Sequence, residues 1–215
     1  MFFLNDDIVF PPVHLAGDHG LLAIGGDLSV ARLTHAYEMG IFPWFNEGEP
    51  IVWYSPNPRM VLFPDKLKIS KSMRRLLRTH TYKLTQNQAF DQVIVNCKTI
   101  ERKDQEDTWI TDEMVMSYVQ LFRSGIAKSF EVWENDQLVG GLYGIELNGV
   151  FCGESMFAKK SNTSKLAFMD MVAYYKRKNF RLIDCQVYND HLSSLGAEEI
   201  SRDEFLKILK ESNGH

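Results

Sequence analysis

The sequence of 215 residues lacks long apolar segments, is poor in cysteine and has no excess of basic residues. No segment approaches the roughly 20 apolar residues that span a membrane, and the acidic first residues differ from a secretory leader. The three cysteines, Cys97, Cys152 and Cys185, form no CxxC pair, so neither a disulfide framework nor a zinc ribbon is indicated. With 24 basic and 28 acidic residues the formal net charge is -4, which excludes a generally basic nucleic-acid coat. We expect a cytoplasmic protein that makes no contact with a membrane.

Sequence motifs for metals and nucleotides are also missing. The six histidines are scattered and no HExxH spacing occurs, so no metal site is indicated. Neither GxxxxGKS/T nor GxGxxG is present. The link at 158-165, AlaLysLysSerAsnThrSerLys, lacks the glycines with which an acetyltransferase helix start surrounds a coenzyme A pyrophosphate. This link therefore argues against a coenzyme A site.

Proline and glycine divide the chain into two parts. Six of the seven prolines fall in the first 60 residues beside six glycines, so long elements are excluded there. One short helix is predicted from Ser29 to Met39, with Ser29 as its N-cap and Gly40 just past its end. We expect a small N-terminal domain at 1-62 that packs on a larger domain at 63-215.

The second part alternates between helix and strand patterns. Thr111 caps a predicted helix that stops at Gly125, and Ser201 with Glu204 forms a capping box at the start of the last helix. Two hairpins, a helix and a strand are predicted between them, with strands at 129-133, 138-139, 142-147 and 150-157, a helix at 164-178 and a strand at 181-187. Asn148 and Gly149 are the turn signal of the second hairpin. The pattern predicts an α+β fold with a mixed sheet, of which the acyltransferase fold with splayed central strands is one example by analogy.

Basic residues are concentrated in one segment. Residues 66-78 contain six bases and no acid, which leaves 18 bases against 28 acids in the rest of the chain. If Ser70 caps a helix there, the apolar side chains lie on one face and four basic side chains on the other, namely Lys71, Arg74, Arg75 and Arg78. An acidic protein needs such a patch to bind a phosphate backbone, although a charge run is also typical of a solvated helix face.

Two places in the second part carry candidate chemistry. On the strand 181-187, period-two alternation puts Asp184 and Gln186 on the same face. Asp184 is expected to accept a hydrogen bond from the Gln186 amide group, which would aim the Gln186 carbonyl oxygen at a donor such as an amine. Glu154 lies among apolar and aromatic residues on another predicted strand, where a buried carboxylate needs a partner. A solvated strand face is the alternative for the first pair, and an outward position or a structural ion pair is the alternative for Glu154.

A cysteine nucleophile is not favoured. Cys185 lies between Asp184 and Gln186, with His191 six residues further on. The alternation turns Cys185 away from the polar pair, and no base is fixed beside it. We expect a core thiol.

Several long segments together resemble one family, the leucyl/phenylalanyl-tRNA-protein transferases. The resemblance covers roughly residues 10 to 200 and is more specific than one short motif. Its carriers are GlyLeuLeuAlaIleGlyGlyAspLeuSer at 20-29, GlyIlePheProTrpPhe at 40-45, TrpTyrSerProAsnProArg at 53-59, ThrTrpIleThr at 108-111, PheCysGlyGluSerMetPhe at 151-157 and LeuIleAspCysGlnValTyrAsnAspHis at 182-191.

The resemblance implies an enzyme that moves Leu or Phe, and less readily Met, from Leu-tRNA or Phe-tRNA to the α-amine of proteins with N-terminal Arg or Lys. The product is marked for degradation. The resemblance also implies a small N-terminal domain on an acetyltransferase-like (GNAT-like) domain, with no coenzyme A, no metal and no other cofactor. A monomer is the default expectation.

By position, the resemblance assigns site residues. The reacting centre corresponds to Asp184, Gln186 and Glu154. The tRNA-binding face corresponds to the basic set in the segment 66-78. The pocket for the aminoacyl side chain corresponds to Trp44, Trp109, Leu142, Phe151, Leu166, Met169 and Ile183.

Two other classes of function remain open on the sequence. A coenzyme A dependent N-acetyltransferase would share the predicted fold, although the link at 158-165 counts against it. A non-catalytic tRNA-binding or adaptor protein would use the basic segment alone, although the set of Asp184, Gln186 and Glu154 counts against that.

Overall fold

The computed structural model of the protein describes residues 2-79, 81-100, 109-147 and 149-212. Within these ranges the strands form two sheets, and helices pack on the larger one. The predicted α+β class with a mixed sheet is confirmed. In the described part of the chain, no helix has both the length and the apolar character needed to span a bilayer.

The smaller sheet is built from the first part of the chain. Its described elements are β1 (Phe2–Leu4), β2 (Leu21–Gly25), α1 (Val30–Glu38), β3 (Phe42–Pro43) and β4 (Val52–Tyr54), with short 3-10 helices at Val13–Leu15 and Asp18–Gly20. The strand order is β1-β2-β4-β3, with β1 parallel to β2 and the other neighbours antiparallel. The side chain of Ser29 accepts from the Arg32 N–H, and Gly40 adopts a positive φ just after α1. Both predicted helix ends are therefore confirmed.

The larger sheet carries the rest of the described chain. Its elements are β5 (Arg59–Leu62), α2 (Lys71–Arg78), β6 (Lys83–Gln86), α3 (Phe90–Thr99), α4 (Asp112–Arg123), β7 (Ala127–Glu134), β8 (Gln137–Leu147), β9 (Val150–Ala158), α5 (Thr163–Arg177), β10 (Leu182–Gln186), α6 (Asp190–Ser194), β11 (Glu198–Ile200) and α7 (Arg202–Ser212), with a 3-10 helix at Pro64–Lys66. Its described strands are ordered β11-β5-β10-β9-β8-β7-β6. Neighbours are antiparallel except β9 and β10, which are parallel at the centre of the sheet.

Local sequence signals account for several of these elements, whereas α3, α6, β5, β6 and β11 were not predicted. The side chains of Ser70, Thr111 and Ser201 each accept from a backbone N–H three residues on, as their predicted capping roles require. The two predicted hairpins share one strand, because β8 runs without a break through Gly140 and Gly141, which separate the two strand patterns. The turn residue Asn148 and the motif residue Thr108 lie outside the described residues.

The apolar core lies on both faces of the larger sheet. Side chains alternate across β8, so that Leu142 packs in the cluster with α5, and Tyr143 packs in the cluster with α3, α4 and the N-terminal part of the chain. This arrangement buries the central strands and leaves the gap between β9 and β10 as the place where a cavity forms.

The strand β5 belongs to the larger sheet, between β10 and β11. Its residues, Arg59–Leu62, fall within the predicted N-terminal domain at 1-62. In chain order, the last strand of the smaller sheet is β4, which ends at Tyr54. The division into two domains stays a prediction.

Candidate functional site

The cavity opens where the central parallel strands separate. The described ladder between β9 and β10 ends at the pair Cys152 and Asp184, whereas β9 continues beside β8 to Ala158. A cavity of about 520 Å³ occupies the gap. Its apolar walls are formed by Trp44, Trp109, Leu142, Met156, Phe168, Met171 and Ile183. Polar side chains at its wall include Glu154, Asp184 and His191.

Two β-bulges lie beside this gap. On β9, Gly153 and Ser155 pair with consecutive residues of β8, which leaves Glu154 as the extra residue. Glycine is needed at Gly144 opposite this bulge, because a Cβ there would overlap the carbonyl oxygen of Cys152. A bulge redirects the side chains around it, and this one brings Glu154 to the cavity wall.

The second bulge is on β10. Asp184 and Gln186 pair with consecutive residues of β5, which leaves Cys185 as the extra residue, and Gln186 has a φ of 64°. The simple alternation predicted for this strand is therefore wrong, and Asp184 and Cys185 both contribute to the cavity wall. Burial raises the pKa of the Cys185 thiol, so the thiolate is disfavoured, in line with the expected core thiol.

Glu154 is held by groups from three separate elements. It is 9% exposed, and its carboxylate accepts from the Tyr118 hydroxyl at 3.1 Å and from the Gln186 Nε2 at 2.9 Å. The Tyr118 hydroxyl in turn forms a short hydrogen bond with the hydroxyl of Tyr37 in α1. Burial raises the pKa of Glu154 to about 7, although the tyrosine hydrogen bonds lower it in part. Burial also raises the pKa of both phenols, so Tyr37 and Tyr118 remain protonated donors at neutral pH.

Asp184 is engaged by a different partner from the one expected. Its two carboxylate oxygens accept from Nε and Nη2 of Arg59 at 2.8 and 2.7 Å, and both side chains are buried. Its Oδ1 also accepts from the backbone N–H of Gln186 at 2.9 Å. The predicted hydrogen bond from the Gln186 side-chain amide to Asp184 is therefore wrong, because that amide donates to Glu154. Arg59 lies 125 residues earlier in the chain, beyond the reach of a local strand pattern.

The residues expected for the aminoacyl pocket fall into two groups. Trp44, Trp109, Leu142 and Ile183 line the cavity. Three others are buried core residues and are not among those that line it, which corrects their expected position, namely Phe151, Leu166 and Met169.

The ring of Phe151 stacks on that of Tyr175, with centroids 4.7 Å apart. From α5 the cavity is lined by Phe168 and Met171 instead, which are neighbours on one helix face. Apolar residues surround most of this helix, so the sequence did not reveal which of them face the cavity.

Sequence analysis missed three side chains of the site. Tyr37 and Tyr118 lie on helices that were predicted, but neither side chain was predicted to belong to the site. Arg59 ends the segment TrpTyrSerProAsnProArg, which was a carrier of the resemblance without an assigned role. Its position in that segment was the available signal.

The basic face of α2, formed by Lys71, Arg74, Arg75 and Arg78, is exposed as predicted. Met73 on the opposite face is buried, whereas Leu77 is 36% exposed. Among the residues that the structure describes, no group of three or more His, Cys, Asp or Glu side chains is placed to hold a metal ion.

Comparisons with known proteins identify the family to which the chain belongs. The chain is 58% identical to a leucyl/phenylalanyl-tRNA-protein transferase of Flavobacterium johnsoniae, covering 98% of this chain and 99% of that protein. It is 52% identical to the protein of the same name in Pectobacterium carotovorum, covering 96% and 88%. Among solved structures it is similar to a GCN5-related N-acetyltransferase from Kribbella flavida, with 9% identity and a TM-score of 0.38 over 78% of this chain and 60% of that one.

Two family models match the chain in sequence order. The model of the leucyl/phenylalanyl-tRNA protein transferase N-terminal domain matches residues 26–57, and the model of leucyl/phenylalanyl-tRNA protein transferase matches residues 61–210. The second match contains Glu154, Asp184 and Gln186, and the first contains Trp44. This chain belongs to the leucyl/phenylalanyl-tRNA protein transferase family.

Proposed function

We propose that this chain transfers Leu or Phe, and less readily Met, from aminoacyl-tRNA to the α-amine of proteins that begin with Arg or Lys. The proposal rests on the cavity between β9 and β10, where apolar walls meet Glu154. Gln186 is not among the residues that line the cavity, but its side-chain amide donates to the Glu154 carboxylate at 2.9 Å. Such walls suit a Leu or Phe side chain, and the acid-amide pair suits an amine. The new N-terminal Leu or Phe would mark the product for degradation.

The reaction needs positioning more than a strong base. The ester between an amino acid and tRNA is already activated, and a protein α-amine has a pKa of about 7.7 to 8.0, so roughly a tenth of it is neutral at pH 7. Holding the amine and the ester in attack geometry contributes on the order of 7 to 11 kcal/mol. A site made of buried, hydrogen-bonded side chains supplies such geometry.

The chemical step is acyl transfer from oxygen to nitrogen. The neutral amine attacks the ester carbonyl carbon, a C–N bond forms, and the C–O bond to the ribose breaks. The amine loses one proton and the ribose oxygen gains one, so the step is balanced without a cofactor. The Gln186 Oε1 accepts a hydrogen bond from the attacking amine, because Nε2 of the same amide is already committed to Glu154.

Glu154 has three tasks in this proposal. It orients the Gln186 amide, a task that sequence analysis gave to Asp184, and its ionised form offsets the positive charge that develops on the attacking amine. The same carboxylate attracts the cationic N-terminus of the acceptor protein. Asp184 contributes through the backbone of Gln186, since both of its oxygens are bound to Arg59.

Side-chain selection follows from the size and apolarity of the cavity. A pocket of this kind separates substrates by only about 1 to 3 kcal/mol for each methylene group. Some promiscuity among Leu, Phe and Met is therefore expected. We expect a monomer, and we expect it to act in the cytoplasm, where charged tRNA is used.

The basic face of α2 is the part of the site that would contact the tRNA. Replacing Arg74 and Arg75 by Ala should weaken binding of charged tRNA and reduce the slope of log K against log salt by about 2, roughly one for each lost phosphate contact. A matched control replaces Lys207 and Lys210, two exposed bases of α7, by Ala. Filter binding at several salt concentrations measures the slope. A slope equal to that of the parent would refute a phosphate-binding role for this face.

One transfer assay tests the whole proposal. The protein is incubated with radiolabelled Leu-tRNA and two model proteins that differ only in an N-terminal Arg or Ala. We expect label to enter the Arg substrate alone, and Gln186→Leu to lower its rate. Label in neither protein, with charged tRNA still bound, would refute the transferase and leave a non-catalytic tRNA-binding protein.

A further inference from the structure

Arg59 is 1% exposed and contacts several parts of the fold at once. Its Nε and Nη2 donate to Asp184, and its Nη1 donates to the carbonyl oxygen of Gly40 at 3.2 Å. Its guanidinium carbon lies 4.9 Å from the ring centre of Phe42 and 4.6 Å from that of Phe205. The side chain thus contacts α7, β10 and the segment after α1.

Such an arrangement is a poor source of stability. Both ions of a buried pair lose their hydration, and apolar side chains of similar volume often stabilise a fold equally well. The paired, planar geometry of the guanidinium is directional instead, since two parallel hydrogen bonds fix the plane of the carboxylate. Arg59 therefore fixes the orientation of Asp184, and with it the second hydrogen bond that Asp184 Oδ1 accepts.

That second hydrogen bond involves the backbone of Gln186, whose side-chain amide binds Glu154. Asp184 Oδ1 accepts from the backbone N–H of Gln186. The φ of Gln186 is 64°, a left-handed backbone conformation that residues other than glycine rarely adopt. The bulge at Cys185 and this conformation together point the Gln186 side chain toward Glu154. Without a fixed acceptor at Asp184 Oδ1, the backbone of Gln186 would be free to return to an extended conformation.

We propose that Arg59 is a positioning residue for the transfer reaction: it orients Asp184, which in turn holds Gln186 in the left-handed conformation that aims its amide at the acceptor amine. The proposal rests on the proposed function. Asp184 then acts as part of the frame of the site, and its carboxylate does not exchange a proton with the substrate.

The first test replaces Arg59 by Lys, which keeps the charge and removes the paired hydrogen bonds. We expect kcat for Leu transfer to fall about 100-fold, the size of effect expected when reacting groups are misplaced by about 1 Å. The KM for Leu-tRNA should stay near that of the parent, because the basic face and the apolar walls are unchanged. Arg32→Lys is the matched control, since Arg32 is also buried, is bound to the carboxylate of Asp27 and lies in the smaller part of the fold. It should leave kcat unchanged.

A second variant separates positioning from stability. Arg59→Leu combined with Asp184→Leu replaces the buried pair by apolar side chains, and circular dichroism checks that each variant is folded. We expect the double variant to fold, and we expect its kcat to be well below that of the parent.

Three results would overturn the proposal: a parent-like kcat in either folded variant, a loss of activity that appears only in KM, or failure of both variants to fold. The last would make the pair a requirement of the fold alone. A parent protein that transfers no label would refute the proposed function instead.

Discussion

The buried carboxylate of Glu154 should make the stability of the protein depend on pH. Burial raises its pKa from the ordinary 4.5 to about 7, so the folded state binds this proton more tightly than the unfolded chain. The stability that the protonated group contributes is complete below about pH 4.5 and is lost as the pH rises through about 7. The difference between 4.5 and about 7 corresponds to about 3 kcal/mol, at about 1.4 kcal/mol for each pKa unit.

Glu154→Gln removes this titration and keeps a side chain of the same shape. The groups that face Glu154 are the hydroxyls of Tyr37 and Tyr118, which stay protonated, the Gln186 amide, and Asp184 in its ion pair with Arg59. Only the parent loses stability as Glu154 ionises. The difference between the unfolding free energy of the variant and that of the parent should therefore increase by about 3 kcal/mol, in favour of the variant, from about pH 4 to pH 8.

Urea unfolding followed by circular dichroism at several pH values measures this change. The comparison uses only the dependence of the difference on pH, so a constant cost of the substitution cancels. Glu38→Gln, at an exposed position of α1, is the control and should shift the unfolding free energy by at most about 0.5 kcal/mol at each pH. If the difference between Glu154→Gln and the parent does not change with pH, Glu154 has no raised pKa and the burial argument is wrong.

Two further predictions concern the hydroxyl that binds Glu154 and the wall of the cavity. Tyr118→Phe removes a hydrogen bond that lowers the pKa of Glu154, so the acidic limb of the kcat/KM profile should move to higher pH. Tyr175→Phe, whose hydroxyl donates to Glu146 instead, is the control. Met171→Ala enlarges the cavity, so the ratio of kcat/KM for Leu over Phe should fall about tenfold, whereas Met169→Ala in the core should leave this ratio unchanged.

Each of these predictions has a clear contrary result. A pH profile that moves equally in Tyr118→Phe and Tyr175→Phe would mean that the shift does not arise at Glu154. A Leu to Phe ratio that changes more for Met169→Ala than for Met171→Ala would place the side-chain pocket on the other face of α5.

Local physical chemistry made much of this protein predictable. Ser29, Ser70, Thr111 and Ser201 are short polar side chains that accept a hydrogen bond from an N–H within the same helical turn, so the helix starts can be read from neighbouring residues. The hairpins and the basic face of α2 follow in the same way from turn residues and from helical spacing.

The candidate site was predictable in part. Glu154 and Gln186 could be selected because polar side chains on apolar strands need partners, and the resemblance pointed to the same residues. The aromatic residues Trp44 and Trp109 were selected by resemblance, and both line the cavity. The helix register of α5 could not be selected, because apolar residues surround most of that helix and only packing chooses which of them face the gap.

The sequence by itself thus determined four helix starts, the strands of the hairpins and the strand β10, the concentration of bases on one helix and the small set of polar residues from which the site is made. The strands β1 to β6, the strand β11 and the helices α3 and α6 were not predicted. Only the tertiary structure decided which of them bind one another. Arg59 reaches Asp184 across 125 residues, and Tyr118 reaches Glu154 across 36 residues. The two bulges that turn Glu154 and Gln186 toward one point depend on the register of β9 against β8 and of β10 against β5. Register is set by neighbouring strands, so strict alternation along a single strand cannot reveal where it is interrupted.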